Sequence, residues 1–117
     1  MPPPRYYTLD SDAMLEQAFD HSMQEPVVLY KHSNLCGASF RARRQVTQLN
    51  DESGLLVYEV VVQDARPLSQ HIESRLGVRH QTPQVIVLFQ GRPVFTASHS
   101  RVTAQAVRQA IENVTAS

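Results

Sequence analysis

The fold of this chain is decided by residues 27–39, which read VVLYKHSNLCGAS. The stretch begins with a continuous apolar run, which is typical of a strand covered on both faces of a sheet. It ends in small residues and a helix-like segment, so Cys36 stands where the chain passes from strand to helix. The first turn of a helix directs unpaired N–H groups at this position, which lowers the pKa of a thiol. Cys36 is therefore the candidate nucleophile.

Cys36 is also the only cysteine among the 117 residues, so any disulfide that it forms must join it to another molecule. Lys31 and His32 are predicted charge neighbours of the thiol, and His32 is placed to act as a general acid toward a leaving thiol. The alternative for Cys36 is a buried structural cysteine, which is common and inert. For His32, the alternative is a side chain that hydrogen-bonds backbone in the loop. The residues around Cys36 leave both alternatives open.

Outward from this stretch, turn and cap signals divide the chain into alternating elements. The second helix is predicted over 37–49, followed by a turn over 50–54, and the last two strands form a hairpin. The five strands are predicted at 6–9, 27–31, 55–62, 85–89 and 94–97, of which the last two are those of the hairpin. The other helices begin near Ser11, Pro67 and Thr103. This order predicts an α/β fold with a central mixed sheet flanked by helices. Residues 1–7 are predicted to be a flexible Pro-rich N-terminus, and residues 8–117 a single domain.

The composition excludes several function classes. Hydrophobic residues make up 42% of the chain and charged residues 19%, which is typical of a globular protein and not of a disordered one. The formal net charge of +0 favours neither nucleic acid nor an anionic membrane as a partner. The sequence has no apolar run of transmembrane length and no secretory signal, and its single cysteine fits a reducing cytoplasm. The spacing of the five histidines predicts no metal site.

A second feature is Thr82-Pro83, which stands between a predicted helix and the hairpin. With it, the chain resembles the thioredoxin-like superfamily. It resembles more closely the bacillithiol-system YtxJ-like family, the monothiol bacilliredoxins. The residues that carry the resemblance are 28–36 with Ser39, 66–69, 76–84, 97–99 and 103–104. The resemblance extends over roughly residues 8–115 and implies a thioredoxin-like fold with a cis proline at Pro83.

The resemblance implies a monothiol thiol–disulfide oxidoreductase. Cys36 would attack the mixed disulfide between a client protein and bacillithiol, and a second bacillithiol would then regenerate it. The implied partners are S-thiolated client proteins and a low-molecular-weight thiol, with bacillithiol as co-substrate and no tightly bound cofactor. Ser39 stands where a dithiol thioredoxin has its resolving cysteine, which independently favours monothiol chemistry. Family members often carry proline after the cysteine, whereas this chain has Gly37, and glycine loosens a first helical turn.

The resemblance also implies a docking surface around the thiol. Arg79 is the candidate partner of the malate-derived dicarboxylate of bacillithiol, because carboxylates are bound by cations and N–H donors. Thr82 is expected to present its backbone to the bound partner, and His99 is a further possible charge neighbour. The remaining residues expected on this surface are Ser33, Asn34, Leu35, Gly37, Ser39 and Pro83.

Two other functions stay open on the sequence. The first is a monothiol, glutaredoxin-like enzyme that uses another small thiol, such as glutathione or coenzyme A. The second is a thioredoxin-fold interaction module in which Cys36 is not catalytic. The sequence specifies neither the preferred thiol nor the client proteins, the reducing partner or an oligomeric state.

Overall fold

A computed structural model of the protein describes residues 5–116. The elements follow the predicted order, with a short 3₁₀ helix (His99–Arg101) added before the last helix. The strands are β1 (Tyr6–Thr8), β2 (Val27–His32), β3 (Leu56–Val61), β4 (Gln84–Phe89) and β5 (Arg92–Ser98). The helices are α1 (Asp12–Ser22), α2 (Gly37–Ser53), α3 (Arg66–Leu76) and α4 (Ala104–Thr115).

The five strands form one mixed sheet in the order β1-β3-β2-β4-β5. β1 and β2 run parallel to β3, whereas β4 runs antiparallel to both of its neighbours, β2 and β5. The prediction of an α/β fold with a mixed sheet between helices is confirmed. Because α1, α2, α3 and α4 follow β1, β2, β3 and β5, which share one direction, all four helices begin at the same edge of the sheet. We call this side, where β1, β2, β3 and β5 end, the active edge; it is distinct from the outer strands β1 and β5 of the sheet.

The helices cover the sheet on both faces. The apolar residues of α1 and α3 pack in one core cluster with Leu29 of β2, and those of α2 and α4 pack in the other with Tyr30. β2 has strands on both sides and helices on both faces, so all six of its residues are buried. The burial extends to Lys31 and His32, at the end of the strand where the apolar run has already stopped.

The second helix is longer than predicted. It continues through the expected turn to Ser53 and ends only at Gly54, whose φ of 69° is left-handed and suits glycine. Asn50 stays helical because the tertiary structure gives its side chain partners. Its amide donates to the backbone oxygens of Arg5 (3.1 Å) and Leu55 (2.7 Å). The prediction of a turn over 50–54 is therefore wrong except at Gly54.

The N-terminal boundary also differs from the prediction. We expected residues 1–7 to be flexible, but Tyr6 and Tyr7 belong to β1 and pair with Val57 and Tyr58 of β3. The Tyr6 hydroxyl also donates to Glu59 over 2.6 Å, so the strand is held by side chain as well as backbone. Residues 1–4 of the predicted Pro-rich N-terminus lie outside the described residues.

The last two strands form the predicted hairpin, joined by Gln90 and Gly91 with φ angles of 53° and 76°. Two adjacent left-handed residues are typical of the turns that match the twist of a hairpin. The pairing of β4 with β5 shifts register between Val87 and Leu88. β5 forms one edge of the sheet and carries Pro93 near its start.

The four helices begin in two different ways. At α1, the Ser11 hydroxyl accepts from the Met14 N–H, and at α4 the Thr103 hydroxyl accepts from the Ala106 N–H. The residues that precede the other two helices are Cys36 at α2 and Ala65 at α3. In the described part of the chain, no side-chain hydrogen bond caps either of these two helices.

Candidate functional site around Cys36

Cys36 is the residue immediately before α2, and its backbone is extended with φ −126° and ψ 122°. The side chain is partly exposed at the active edge. The nearby backbone N–H groups of Ser39 and Ala38 favour the thiolate and so lower the pKa of the Cys36 thiol, and the Ser39 hydroxyl adds to the effect. Partial exposure and a lowered pKa are the two properties that a nucleophilic cysteine requires.

The loop over 33–36 is held by side-chain hydrogen bonds from two directions. Gln63, in the loop after β3, donates to the Ser33 hydroxyl (2.7 Å) and accepts from the Asn34 N–H (3.1 Å). From the other side, the buried Ser39 hydroxyl accepts from the Ser33 N–H over 3.2 Å. Ser39 therefore contributes to the thiol environment and to the shape of the loop at once.

Behind this loop lies a buried polar pair on the α2 face of the sheet. The Tyr30 hydroxyl donates to the Ser39 carbonyl oxygen (2.7 Å) and lies 3.0 Å from Nδ1 of His32. Because a hydroxyl has a single proton, His32 must donate from Nδ1, which leaves Nε2 unprotonated. That Nε2 is buried without a hydrogen-bond partner among residues 5–116.

His32 does not act as the predicted charge neighbour. Burial, with the charge of Arg43 in second place, lowers the pKa of His32, so the ring is neutral at neutral pH. It packs edge-on against the ring of Phe40, with 4.9 Å between the ring centroids. Its surroundings are therefore those of a neutral buried ring, and the prediction of a cationic His32 is corrected.

Lys31 also differs from the prediction, because it faces the opposite side of the sheet from α2. Its Nζ lies 3.1 Å from Nδ1 of His80, in the segment between α3 and β4. Burial lowers the pKa of Lys31 from 10.5 to about 8, although the charge of Glu73 opposes the shift. Its neighbours are therefore His80 and, in the second half of α3, Glu73, rather than the thiol.

The structure places only some of the docking residues predicted around the start of β4 next to the end of β2. Thr82 and Pro83 lie at the start of β4, next to the end of β2, and the peptide bond that joins them is cis. His99 donates its backbone N–H to the Pro83 carbonyl oxygen (2.9 Å), and its ring contacts Gln81 (3.1 Å). The partner of the His99 ring is thus a loop residue, and its role as a charge neighbour of the thiol stays a prediction.

Two large apolar side chains are exposed close to the thiol in the sequence. Leu35, immediately before Cys36, is 86% exposed, and Phe40, in the first turns of α2, is 43% exposed. Gly37, between them, leaves open space, since a Cβ built on it would meet no atom within 4 Å. Two exposed apolar side chains thus flank the thiol along the chain, and Gly37 leaves open space next to it.

Sequence reasoning missed Gln63 and Tyr30, which shape the site without contacting the sulfur. Gln63 follows the predicted strand β3, and the ends of neighbouring parallel strands meet at one edge, so its position was open to inference. Tyr30 was read only as part of an apolar run. Its alternation with Lys31 along β2 is the signal that places it on the α2 face.

Within residues 5–116, no group of three or more His, Cys, Asp or Glu side chains is arranged to hold a metal ion. In the same part of the chain, no helix is long and apolar enough to cross a bilayer.

Comparisons with known proteins agree with this geometry. A family model described as "Monothiol bacilliredoxin BrxC" matches residues 7–107. A solved structure described as an oxidoreductase candidate with a thioredoxin fold is 28% identical, with a TM-score of 0.84, over 90% of this chain and 92% of that chain. A thioredoxin variant from Halobacterium salinarum NRC-1 is 18% identical, with a TM-score of 0.76, over 97% and 94%. Thioredoxin from Trypanosoma brucei brucei is 13% identical, with a TM-score of 0.78, over 97% and 94%, and like the preceding one it shows likeness of fold alone.

Proposed function

Because this chain belongs to the family of monothiol bacilliredoxins, we propose that Cys36 removes bacillithiol from proteins that carry it as a mixed disulfide. The chain is a thiol–disulfide oxidoreductase with a single cysteine. Its family membership favours an enzyme over an interaction module. The identity of the small thiol is the part that we propose.

In the first step, the Cys36 thiolate attacks the bacillithiol sulfur of a client–bacillithiol disulfide. The new bond joins Cys36 to bacillithiol, the old disulfide bond breaks, and the client leaves as a thiolate that takes a proton from water. Attack requires the thiolate form, and the N–H groups of Ser39 and Ala38 favour that form.

In the second step, the thiolate of another bacillithiol attacks the bacillithiol sulfur of the Cys36 adduct. Oxidised bacillithiol forms, and Cys36 leaves as a thiolate ready for the next client. Ser39 occupies the position from which a resolving cysteine would attack, and its hydroxyl cannot form a disulfide. The electrons therefore come from the diffusible thiol.

We propose that Leu35 and Phe40 contact the client protein, since both are apolar and exposed near the sulfur. Thr82 would offer its backbone to the bound chain, while Gly37 leaves room for the entering disulfide. Ser33 and Asn34 hold the loop in shape through Gln63. We also propose a cytoplasmic location, because the cycle needs a compartment that keeps thiols reduced.

One observation carries the proposal. The only cysteine of the chain stands at the uncapped start of α2, with a lowered pKa and with Ser39 in place of a second cysteine. Intact-mass analysis tests it directly. Incubation with oxidised bacillithiol should add one bacillithiol to the protein, and the Cys36→Ser variant should gain none. The absence of an adduct at neutral pH with any small disulfide would contradict the proposal.

The preferred thiol requires a separate comparison. A client protein loaded with bacillithiol and the same client loaded with glutathione would each be mixed with the reduced enzyme, and the released client thiol would be measured over time. We expect faster release from the bacillithiol-loaded client. Equal or faster release from the glutathione-loaded client would leave the monothiol chemistry intact and contradict bacillithiol as the preferred thiol.

A further inference from the structure

A polar cleft of about 380 Å³ opens beside the Cys36 loop. It lies between that loop, the first turn of α3 and the segment before β4. The polar residues that line it include Ser33, Gln63, Arg66, Ser69, His80 and Thr82. Ser33 and Thr82 belong to the segments on either side of the thiol, so a small molecule held on Cys36 lies within reach of the cleft.

We propose that this cleft binds a carboxylate of the small thiol that Cys36 exchanges, with Arg66 and the start of α3 as its main partners. The inference rests on the proposed function, since it concerns the same exchange. It adds a subsite that the family assignment does not supply, and it identifies the ligand by its charge.

The charges around the cleft favour an anion. Arg66 is exposed at the first position of α3, and the Nζ of Lys31 lies 3.1 Å from Nδ1 of His80, which lines the cleft. The nearby carboxylate of Glu73 is already engaged, because it accepts from the backbone N–H of His80. A guanidinium pairs with a carboxylate through two parallel hydrogen bonds, which gives affinity and orientation together.

The start of α3 supplies further donors. The N–H groups in the first turn of a helix lack helical partners and carry a partial positive charge. Ala65 precedes the helix and, within residues 5–116, no side chain caps it. Pro67 has no N–H, and the Ser69 N–H bonds to the Ala65 carbonyl oxygen, so the donors that remain are the N–H groups of Arg66 and Leu68, at the end of the sheet where the cleft opens.

An independent observation comes from Ser69, whose hydroxyl is buried in the wall of the cleft. The residue is 3% exposed, and its Oγ has no hydrogen-bond partner in the described part of the chain. A buried hydroxyl without a partner costs free energy, which a ligand oxygen placed in the cleft would offset. Ser69 therefore offers an unpaired hydroxyl to a polar ligand bound in the cleft.

This inference replaces Arg79 as the carboxylate partner. Arg79 is exposed in the segment before β4, and its backbone oxygen accepts from Gln84 over 2.9 Å. Unlike Arg66, it does not line the cleft. Arg79 is for that reason a matched control, because it is also an exposed arginine close to the active edge.

The test reverses the charge of residue 66 in the cleft and measures the rate of Cys36 adduct formation by intact-mass analysis. Three disulfides serve as probes: dithiodipropionate with carboxylates, the neutral hydroxyethyl disulfide, and cystamine with amines. In Arg66→Glu we expect the rate with dithiodipropionate to fall about tenfold relative to hydroxyethyl disulfide, and the rate with cystamine to rise. Arg79→Glu should leave both ratios within about twofold of the wild type. Unchanged ratios in Arg66→Glu, or equal changes in both variants, would overturn the inference.

A second measurement does not depend on thiol chemistry. Succinate, added to the Cys36→Ser variant, should shift the amide NMR signals of Ser69 and His80, and the additional substitution Arg66→Glu should abolish these shifts. Shifts in a protein whose wild type reacts with no disulfide would support the cleft and contradict the proposed function. Adduct formation without succinate-induced shifts, and with unchanged rate ratios in Arg66→Glu, would support the proposed function and contradict the cleft.

Discussion

The four helices of this protein begin at the same edge of one sheet, yet they differ in how they begin. Ser11 and Thr103 cap α1 and α4 with their hydroxyls. Cys36 and Ala65 precede α2 and α3 without a side-chain cap in the described chain. The capped beginnings satisfy their own donors, whereas the uncapped ones leave donors for a thiolate and, by our inference, for a carboxylate. The first-turn N–H groups of α1 and α4 therefore serve stability, whereas those of α2 and α3 remain available for chemistry.

Supplying α2 with an ordinary cap gives the largest expected effect. In Cys36→Asp, the carboxylate should accept from the N–H groups that now lower the thiol pKa, those of Ser39 and Ala38. We expect all oxidoreductase activity to be lost and the free energy of unfolding to rise by about 0.5–2 kcal/mol. Urea denaturation and intact-mass analysis measure the two changes.

Cys36→Ala is the matched control for this experiment, since it removes the thiol without adding a cap. It should lose activity equally but gain no stability. If Cys36→Asp were no more stable than Cys36→Ala, the donors at the start of α2 would not be free, and the contrast between the helices would fail.

Lys31 is a buried amine on the face of the sheet that α3 covers, and its burial lowers stability. Lys31→Met should raise the free energy of unfolding at neutral pH by about 1–4 kcal/mol, because a fully buried charge is replaced by an apolar side chain of similar length. Urea denaturation of the variant and the wild type at the same pH gives the difference. Met in place of Lys31 should also weaken discrimination in favour of carboxylate-bearing disulfides.

The stability difference between Lys31→Met and the wild type should depend on pH. The pKa of Lys31 is about 8 in the folded protein and 10.5 ordinarily, so between these values the unfolded chain binds more protons. Wild-type stability from this group therefore rises as the pH increases through that window, and the full penalty is present below it. The advantage of Lys31→Met should shrink from about pH 8 upward. A constant difference would contradict a buried, partly neutral lysine.

Removing the caps of α1 and α4 should lower stability and leave the thiol chemistry unaffected. Ser11→Ala and Thr103→Ala each remove the hydroxyl that accepts a first-turn N–H, so each should lower the free energy of unfolding by about 0.5–2 kcal/mol. The rate of Cys36 adduct formation should stay unchanged in both. A cap variant that slowed adduct formation while remaining folded would show that these helices also serve the chemistry.

The smallest effect is expected at Gly37. Gly37→Pro places proline at the first position of α2, where it is favoured, and the extended backbone of Cys36 suits the residue before a proline. Nothing stands within 4 Å of a Cβ at Gly37, and the N–H groups that lower the thiol pKa are those of Ser39 and Ala38. Denaturation should show a gain of about 0.4–1 kcal/mol. A clear rise in the thiol pKa would mean that the Gly37 N–H also contacts the sulfur.

Local signals in the sequence were sufficient for the fold. Long apolar runs located the central strands, and Pro67 marked the first turn of α3, as the structure has it. The prediction failed at Asn50, where local polarity favours a turn. Its partners, the backbone oxygens of Arg5 and Leu55, come from elsewhere in the chain, so the sequence around Asn50 holds no sign of them.

The site could be predicted only as far as its position along the chain. Cys36 and Ser39 follow from their place after an apolar run. Lys31 is predicted as a charge neighbour of the thiol, while the structure buries it against a loop that only tertiary folding brings near. Arg66 lies in a stretch that carried the family resemblance, but a sequence does not show which loops meet at the active edge.

The edge strand β5 has a consequence for how this protein meets unfolded or damaged chains. Such chains offer unpaired backbone groups, and an open strand edge would bind them by strand addition regardless of their redox state. β5 opposes this with the charge of Arg92, the missing N–H of Pro93 and the irregular pairing between Val87 and Leu88. Strand addition at β5 is thereby opposed, so that by the proposed function a client is held through a disulfide bond to Cys36, which thiol exchange can reverse.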